Sequence, residues 1–452
     1  MGSFTNFPTA LQATLQQGFL EREFEEGLDS VLAYRRAALE ETVPARIGET
    51  LTRTRKSRKT PVTTPMNPTT NTGLDNGLTP STFSVEQYSF TMQEYADTVD
   101  TNMMQELAGI ANQLFANSRN SGVQAAQSLE RIAQLKLFSA YMGGNSRVRT
   151  DLGASSTTTC HVDDVRGFQT VLVNGVVTPI SGTNPLTVSE IATSGSGVSQ
   201  TLSVTAFTID GTNHSSASGG VSGTITFAAA TAPVNLDSLV ALNAPKILRP
   251  FSKSNTSQLT GADVLTMSLI EDSVAYLRDN AVPPMPDGTY HCIMDNTSMR
   301  QLWADQDFKV LFAGNGTRSR EYRDQEVIVM LGVTYITTTE AYLQSSNSSI
   351  GLNVRVRRPI VLGAEALIQG NFEGMDTWIA REGMESINDV FLINNVAQII
   401  RPPLDRLGQV ASQSWTWIGD FAVPTDLTAT TSIIPTASNA LYKRAIILEH
   451  AG

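Results

Sequence analysis

The chain has 452 residues, 41% of them hydrophobic and 17% charged, with a formal net charge of −11. This composition excludes a disordered polymer, and an acidic body repels phosphate, which excludes general affinity for nucleic acid. Two cysteines exclude a disulfide framework, and no apolar run reaches the ~18–20 residues of a transmembrane helix.

The opening MGSFTNFPTALQ lacks the basic and apolar regions of an export signal, which places the chain in a reducing cytoplasm without a membrane partner. From Pro8 to about Glu41 the spacing predicts helix. Leu11, Leu15 and Phe19, then Phe24, Leu28 and Leu32, recur mostly at four-residue steps. LTRTRKSRKTPVTTPMNPTTNTGLDNG follows, from Leu51 to Gly77. It sets five cations, Arg53, Arg55, Lys56, Arg58 and Lys59, within seven residues and then has little to bury. A coreless stretch of roughly thirty residues is uncommon inside a compact domain unless it has a role, and the cations mark an electrostatic contact site. Asn76-Gly77 is a hairpin signal, while Phe83, Val85, Tyr88, Phe90 and Met92 alternate as a half-buried strand does. Together they predict a long two-stranded projection that needs a surface to lie on, because an isolated hairpin is marginal in water.

A second helical pattern runs from about Glu94 to Met142, through Val99, Met103, Leu107, Ile110 and Leu114, and again from Ala126. Gly122 and the Asn/Ser cluster around it predict a kink or break. Composition then shifts: between Gly167 and Pro233 only Glu190 and Asp210 are charged. FQTVLVNGVVTPI, QTLSVTAFTIDGTN and GTITFAAAT read as strands of a small all-β module at 154–234, with a charge-poor surface suited to cover by a neighbouring chain. From Asn235 the pattern is mixed α+β. A helix at about 260–280 precedes the strand TYHCIMD, and a helix capped by Asp295 or Asn296 follows. EVIVMLGVTYITTTE reads as strand, Gly turn and strand, and RPIVLGAEALIQG, TWIAREG and NALYKRAIILEH complete the tail.

Catalytic signatures do not emerge. The chain has no Gly-x-x-x-x-Gly-Lys-Ser/Thr, no Gly-x-Ser-x-Gly and no His-Glu-x-x-His. Cys160-His161 and His291-Cys292 would offer a two-Cys, two-His zinc set, but adjacent strand residues point to opposite faces and do not readily share an ion. Asp163/Asp164, Glu271/Asp272 and Asp305/Asp307 read as solvated carboxylates with no division into acid and base. Arg318, Arg320 and Arg323 in AGNGTRSREYRDQE form a weak anion-binding candidate on a surface loop. No catalytic residue, cofactor or metal is expected.

The order of parts is an arm, an extended basic loop, a very long helix and an α+β body. It resembles the major capsid proteins of tailed bacteriophages, the Hong Kong 97-type fold. TYHCIMDNTSMRQLWADQDFKVLFAG, GVTYITTTEA and RPIVLGAEAL look like the capsid run of strand, short helix and return to the sheet, and ALYKRAIILEH is similar to the final strand. The resemblance covers most of the chain apart from about 154–234. It implies an N-terminal arm at 1–50, an E-loop at 51–93, and a spine helix with the start of the P-domain at 94–153. An inserted β-rich module at 154–234, an A-domain-like region at 235–345 and returning strands of the A- and P-domains at 346–452 complete it.

The same resemblance implies a non-enzymatic protein that assembles as hexamers and pentamers into an icosahedral head shell around double-stranded DNA, without sequence-specific binding. Its partners would be a separate scaffolding protein, a portal and an optional decoration protein. Its location would be the virion, and the host cytoplasm during assembly. Arg53, Arg55, Lys56, Arg58 and Lys59 would meet the acidic surface of a neighbouring subunit. A β-rich phage tail or adhesin protein is the alternative and requires fibre-like repeats. An enzyme with a lid loop requires a nucleophile, metal set or cofactor loop.

Overall fold

The structure is a computed structural model that describes residues 19–29, 33–44, 50–56, 59, 61–63, 65, 85–102, 113–149, 158–173, 176–193, 200–210, 221–230, 233–242, 244–314, 328–346, 353–374, 389–403, 405–424 and 443–452. The first elements are α1 (Phe19–Asp29), β1 (Leu39–Val43), β2 (Thr50–Lys56), β3 (Val85–Thr91) and β4 (Gln93–Asn102). The 30-residue helix α2 (Gln113–Met142) follows. Next come β5 (Asn145–Arg147), β6 (Thr159–Val162), β7 (Thr170–Val173), β8 (Val176–Pro179) and β9 (Leu186–Ile191). After them run β10 (Gln200–Ile209), β11 (Gly223–Phe227) and β12 (Ser238–Ala241).

The body continues with β13 (Ile247–Leu248), α3 (Met267–Asp279), β14 (Tyr290–Met294), α4 (Asn296–Ala304) and α5 (Gln306–Gly314). Then come β15 (Ile328–Met330), β16 (Val333–Thr337), β17 (Leu343–Gln344), β18 (Val356–Arg357), β19 (Ile360–Leu362) and β20 (Ile368–Phe372). The last strands are β21 (Asp389–Ile393), β22 (Val396–Arg401), β23 (Val410–Ala422), β24 (Ala445–Leu448) and β25 (His450–Ala451).

Helix α2 lies between two sheets. One runs β13-β24-β19-β14-β16-β15. Side chains alternate across a strand, so Ile293, Ile360, Leu362, Ala445 and Ile447 join the core under α2. Their neighbours Cys292, Met294, Val361, Ile446 and Leu448 join a second core with α3, α4 and α5. The other sheet runs β1-β20-β23-β22-β21, with β4 also paired to the long strand β23. Trp415, Trp417 and Phe421 of that strand pack into the α2 core.

The charge-poor stretch builds a closed barrel in the order β5-β12-β9-β10-β11-β6. Closure comes from the bridge Val148↔Val162 and the flanking bonds Arg149 N–H to His161 O and Asp163 N–H to Arg147 O. It leaves no open edge and encloses a separate core of Val162, Val188, Val204, Ile225 and Leu239. The barrel uses strands on both sides of 154–234.

Three local expectations change. The N-terminal helix ends at Asp29, and residues 39–43 form a strand paired parallel to β20. The buried Glu130 carboxylate turns the chain there, accepting the N–H groups of Tyr34 and Arg35 at 2.9 Å. Residues 93–102, read as helix from the Val99–Met103 step, are strand because they pair in continuous register with β23. The break at Gly122 does not occur, and α2 runs through it. Ser118, Ser121, Gly122, Ala125 and Ala126 form its buried small-residue face, against which α1 lies. A Cβ on Gly122 would stand 2.4 Å from the Phe24 carbonyl oxygen, and one on Gly27 would stand 2.5 Å from that of Arg119.

Further along, the helix placed at about 260–280 begins at Met267, and the helix after Asp295 is two helices divided at Asp305. Asp295 caps the first by accepting from Thr297 N–H at 3.0 Å. The strand–turn–strand reading holds, with Leu331 and Gly332 at φ 53° and 77° in the turn between β15 and β16. Residues 8–18, Asn76-Gly77, Arg318, Arg320, Arg323 and the TWIAREG run lie outside the described residues.

Candidate inter-subunit surface

Strands β2 and β3 form an antiparallel two-stranded ribbon, from Thr50↔Thr91 at its root to Lys56↔Val85. Among its described side chains, Leu51, Tyr88 and Met92 pack with Val43, Ile368 and Ala422. Asp420 of β23 fastens the root by accepting the Thr91 N–H at 3.0 Å. Burial pushes the Asp420 carboxyl upward, against the pull of Lys136.

Three of the five cations, Arg53, Arg55 and Lys56, lie on β2. Lys59 is exposed beyond its end, and Arg58 falls outside the described residues. Arg53 meets Glu41 of its own chain, Nε to Oε1 at 2.9 Å, and Tyr88 Oη donates to Oε2 of the same carboxylate at 3.1 Å. With Arg53 41% and Glu41 26% exposed, such a pair contributes about 0–1 kcal/mol. Arg53 thus helps to set the angle at which the ribbon leaves the body.

The structure gathers other charges that sequence reasoning missed. Asp163 and Asp164, read as solvated, are buried between barrel and body. Asp163 accepts from Arg147 Nε at 2.7 Å and Arg149 Nη1 at 3.0 Å, while Arg166 pairs with Asp164 at 2.7 Å. Nearby, Glu449 accepts from Arg249 Nε at 2.7 Å, Arg358 Nε at 2.8 Å and Thr256 Oγ1 at 2.7 Å. Burial alone would raise the Glu449 pKa, but the Arg249 and Arg358 guanidiniums hold it down at about 2. The sequence signal was the Arg147-Val-Arg149 alternation, which puts both guanidiniums on one face of a strand.

Among the described residues, the two Cys-His pairs lie apart. Cys160-His161 lies on β6 and His291-Cys292 on β14, in different sheets. Burial pushes both thiols up to about 12. Ser298 Oγ sits 2.8 Å from His450 Nε2. Both residues are fully buried, and desolvation lowers the His450 pKa to about 4, so a substrate cannot reach them. Glu271 and Asp272 are exposed, while Asp305 accepts the Met267 N–H at 2.7 Å. Among the described residues no three potential ligands converge as a metal set.

The chain is a mixed α+β protein, and solved structures similar to it include bacteriophage capsids. The capsid of Ralstonia phage GP4 is 11% identical with a TM-score of 0.46, covering 92% of this chain and 87% of that one. The capsid of cyanophage P-SCSP1u gives 10%, 0.45, 94% and 89% on the same measures. The cyanophage Pam1 capsid asymmetric unit gives 8%, 0.47, 94% and 94%. No protein-family profile and no curated protein matches the chain.

Proposed function

We propose that the chain is a major capsid protein that self-assembles into the icosahedral head shell around the double-stranded DNA of a tailed phage. The observation that carries this reading is the two-stranded ribbon β2–β3, whose run from Arg53 to Lys59 is basic on an acidic protein. Burial within its own chain gives such a projection little reason to extend, whereas a second copy supplies the surface. The long helix between two sheets supports the same reading, because it gives each copy a stiff spine on which contacts repeat.

In this reading 1–50 is the arm, 51–93 the E-loop, α2 (Gln113–Met142) the spine, and the barrel from β5 to β12 an inserted module. Residues 235–345 and 346–452 supply the A-domain and the returning strands of the A- and P-domains. Arg53, Arg55, Lys56, Arg58 and Lys59 meet the acidic surface of the next subunit. Each exposed pair contributes little, but a closed shell repeats the contact on every subunit, and linked contacts reinforce one another. Hexamers and pentamers of the chain, a separate scaffold, a portal and an optional decoration protein make up the assembly in the host cytoplasm before the virion is complete. The protein has no catalytic turnover.

Electron microscopy of the chain, expressed alone and with its scaffold, tests the proposal. Closed shells are expected. Fibres would favour a tail or adhesin protein, and small discrete particles under both conditions would overturn the capsid reading.

A further inference from the structure

We infer that the surface receiving the basic ribbon is strand β4 of a second copy of the chain, through Glu94, Asp97 and Asp100. This rests on the ribbon being the contact by which copies meet. Across its ten residues β4 carries those three carboxylates and no cation. The segment from Thr50 to Thr91 carries five cations against two carboxylates, Asp75 and Glu86. The formal charges are therefore −3 on β4 and +3 on the ribbon segment, opposite in sign and equal in size.

Among the described strands β4 pairs only with β23, so one side of its backbone faces no other strand. Glu94, Asp97 and Asp100 are exposed, and the groups that hydrogen-bond to them are uncharged. Thr416 Oγ1 donates to Glu94 at 3.0 Å, Gln124 Nε2 to Asp97 at 2.6 Å, and the Ser412 hydroxyl to Asp100. Arg401 of the same sheet stands opposite Ser412, two strands from Asp100 and so about 10 Å away. At 0.1 M salt that is a full Debye length of about 10 Å, so Arg401 does little to neutralise the strand.

An acidic edge also deters unspecific strand pairing, but the match with the ribbon goes further. Glu94 to Asp100 covers about 20 Å of strand, which is also the most that Arg53 to Lys59 can span. Within one chain, strand pairing keeps the two segments apart: β2 lies on β3, and β4 on β23. Ribbon and β4 are different surfaces of the same chain, so the contact is head-to-tail. Each copy gives one ribbon and receives another, which is the arrangement that closes rings.

A charge swap between full-length variants tests this, read by sedimentation, which reports oligomers as well as closed shells. One variant reverses the ribbon with Lys56→Glu, Arg58→Glu and Lys59→Glu, leaving Arg53 on Glu41. The other reverses β4 with Glu94→Lys, Asp97→Lys and Asp100→Lys. Either alone should associate about tenfold more weakly than wild type, and an equal mixture should recover, because each variant then meets a complementary partner. Glu94→Gln, Asp97→Asn and Asp100→Asn, which keep the side-chain shapes, should weaken association in the same direction. Wild-type association by either β4 variant, or no recovery in the mixture, would overturn the inference. Recovery as oligomers that never close would sink the capsid reading and leave this contact standing, while a wild-type chain that stays monomeric would overturn both.

Discussion

Replacing Gly122 with alanine tests the contact that seats the N-terminal segment on α2. In an exposed helix this change would stabilise by about 1 kcal/mol, because glycine loses that much relative to alanine. Here the new Cβ would meet the Phe24 carbonyl oxygen at 2.4 Å and the Leu28 nitrogen at 3.2 Å. Both are backbone atoms, so no rotamer change relieves the overlap, and ordinary contact starts at 3.4 Å. Helix α1 must therefore retreat by about 1 Å, which loosens Phe24 and Leu28 against Ala125, Ala126 and Leu129. Overpacking costs about 1–3 kcal/mol; with rigid backbone in the way the upper part of that range, about 2–3, applies, and the propensity gain of about 1 kcal/mol leaves a net loss of about 1–2 kcal/mol. Native-state hydrogen exchange reads the loss locally, and α1 amides should exchange roughly 5–30 times faster. Gly182→Ala is the control, since no atom lies within 4 Å of its added Cβ, and it should stay within about 0.5 kcal/mol of wild type. If α1 amides are as well protected in Gly122→Ala as in wild type, the close helix crossing does not exist.

Replacing Arg53, Arg55, Lys56, Arg58 and Lys59 together with Ser or Gln should preserve the monomer's circular dichroism but reduce shell yield. Wild-type chain in 1 M salt, where the Debye length is about 3 Å, should show the same defect. Ready trypsin cleavage at Arg55 or Arg58 in intact, DNA-free shells would refute the inter-subunit role. Glu449→Gln strands the buried Arg358 and the partly buried Arg249 and should cost about 3–5 kcal/mol; a urea midpoint equal to that of wild type would refute this. The folded Glu449 pKa of about 2 lies below the ordinary 4.5. Its contribution is therefore complete above that ordinary value and fades as pH falls toward the folded one, a window that acid titration of the Gln variant should lack. Cys160 and Cys292, their thiols pushed up to about 12 by burial, should resist an aromatic disulfide reagent at mildly alkaline pH and react on denaturation. Stoichiometric reaction of native chain would contradict that burial. Excising Asn145 to Val240 and joining Gly144 to Ala241, already hydrogen-bonded at 2.8 Å, should leave the rest folded. Removing only 154–234 should fail, because Arg147 and Arg149 lose Asp163; soluble chain with native circular dichroism from the shorter deletion would refute this.

Local patterns carried much of the fold. The strand runs of the charge-poor stretch reappear as β7, β8, β10 and β11, because short alternating segments between turn residues have few other options. The Asp295 cap and the Leu331-Gly332 turn were legible for the same local reason. What could not be read depended on distant partners. Residues 93–102 carry a helix-like Val99–Met103 step, and only pairing with β23 makes them a strand. Gly122 looks like a breaker until Gly27 of α1 is set against it. Likewise Asp163 and Asp164 are unremarkable acidic residues until the barrel closes on Arg147 and Arg149. The basic cluster was plain in the sequence, but its Glu41 contact was not, because β1 was read as the end of a helix.

The pairing of β4 with β23 also bears on how the chain is made. Thr98 and Ser414, neighbours across these strands, are 316 residues apart. At ribosomal rates of about 5–20 residues per second, the partner of β4 is missing for on the order of tens of seconds after β4 is synthesised. β1 waits in the same way for β20, so the sheet that anchors the ribbon cannot exist on a nascent chain. An unfinished polypeptide therefore lacks the platform that holds its basic projection in place. The ribbon's anchor forms only when translation has passed β23.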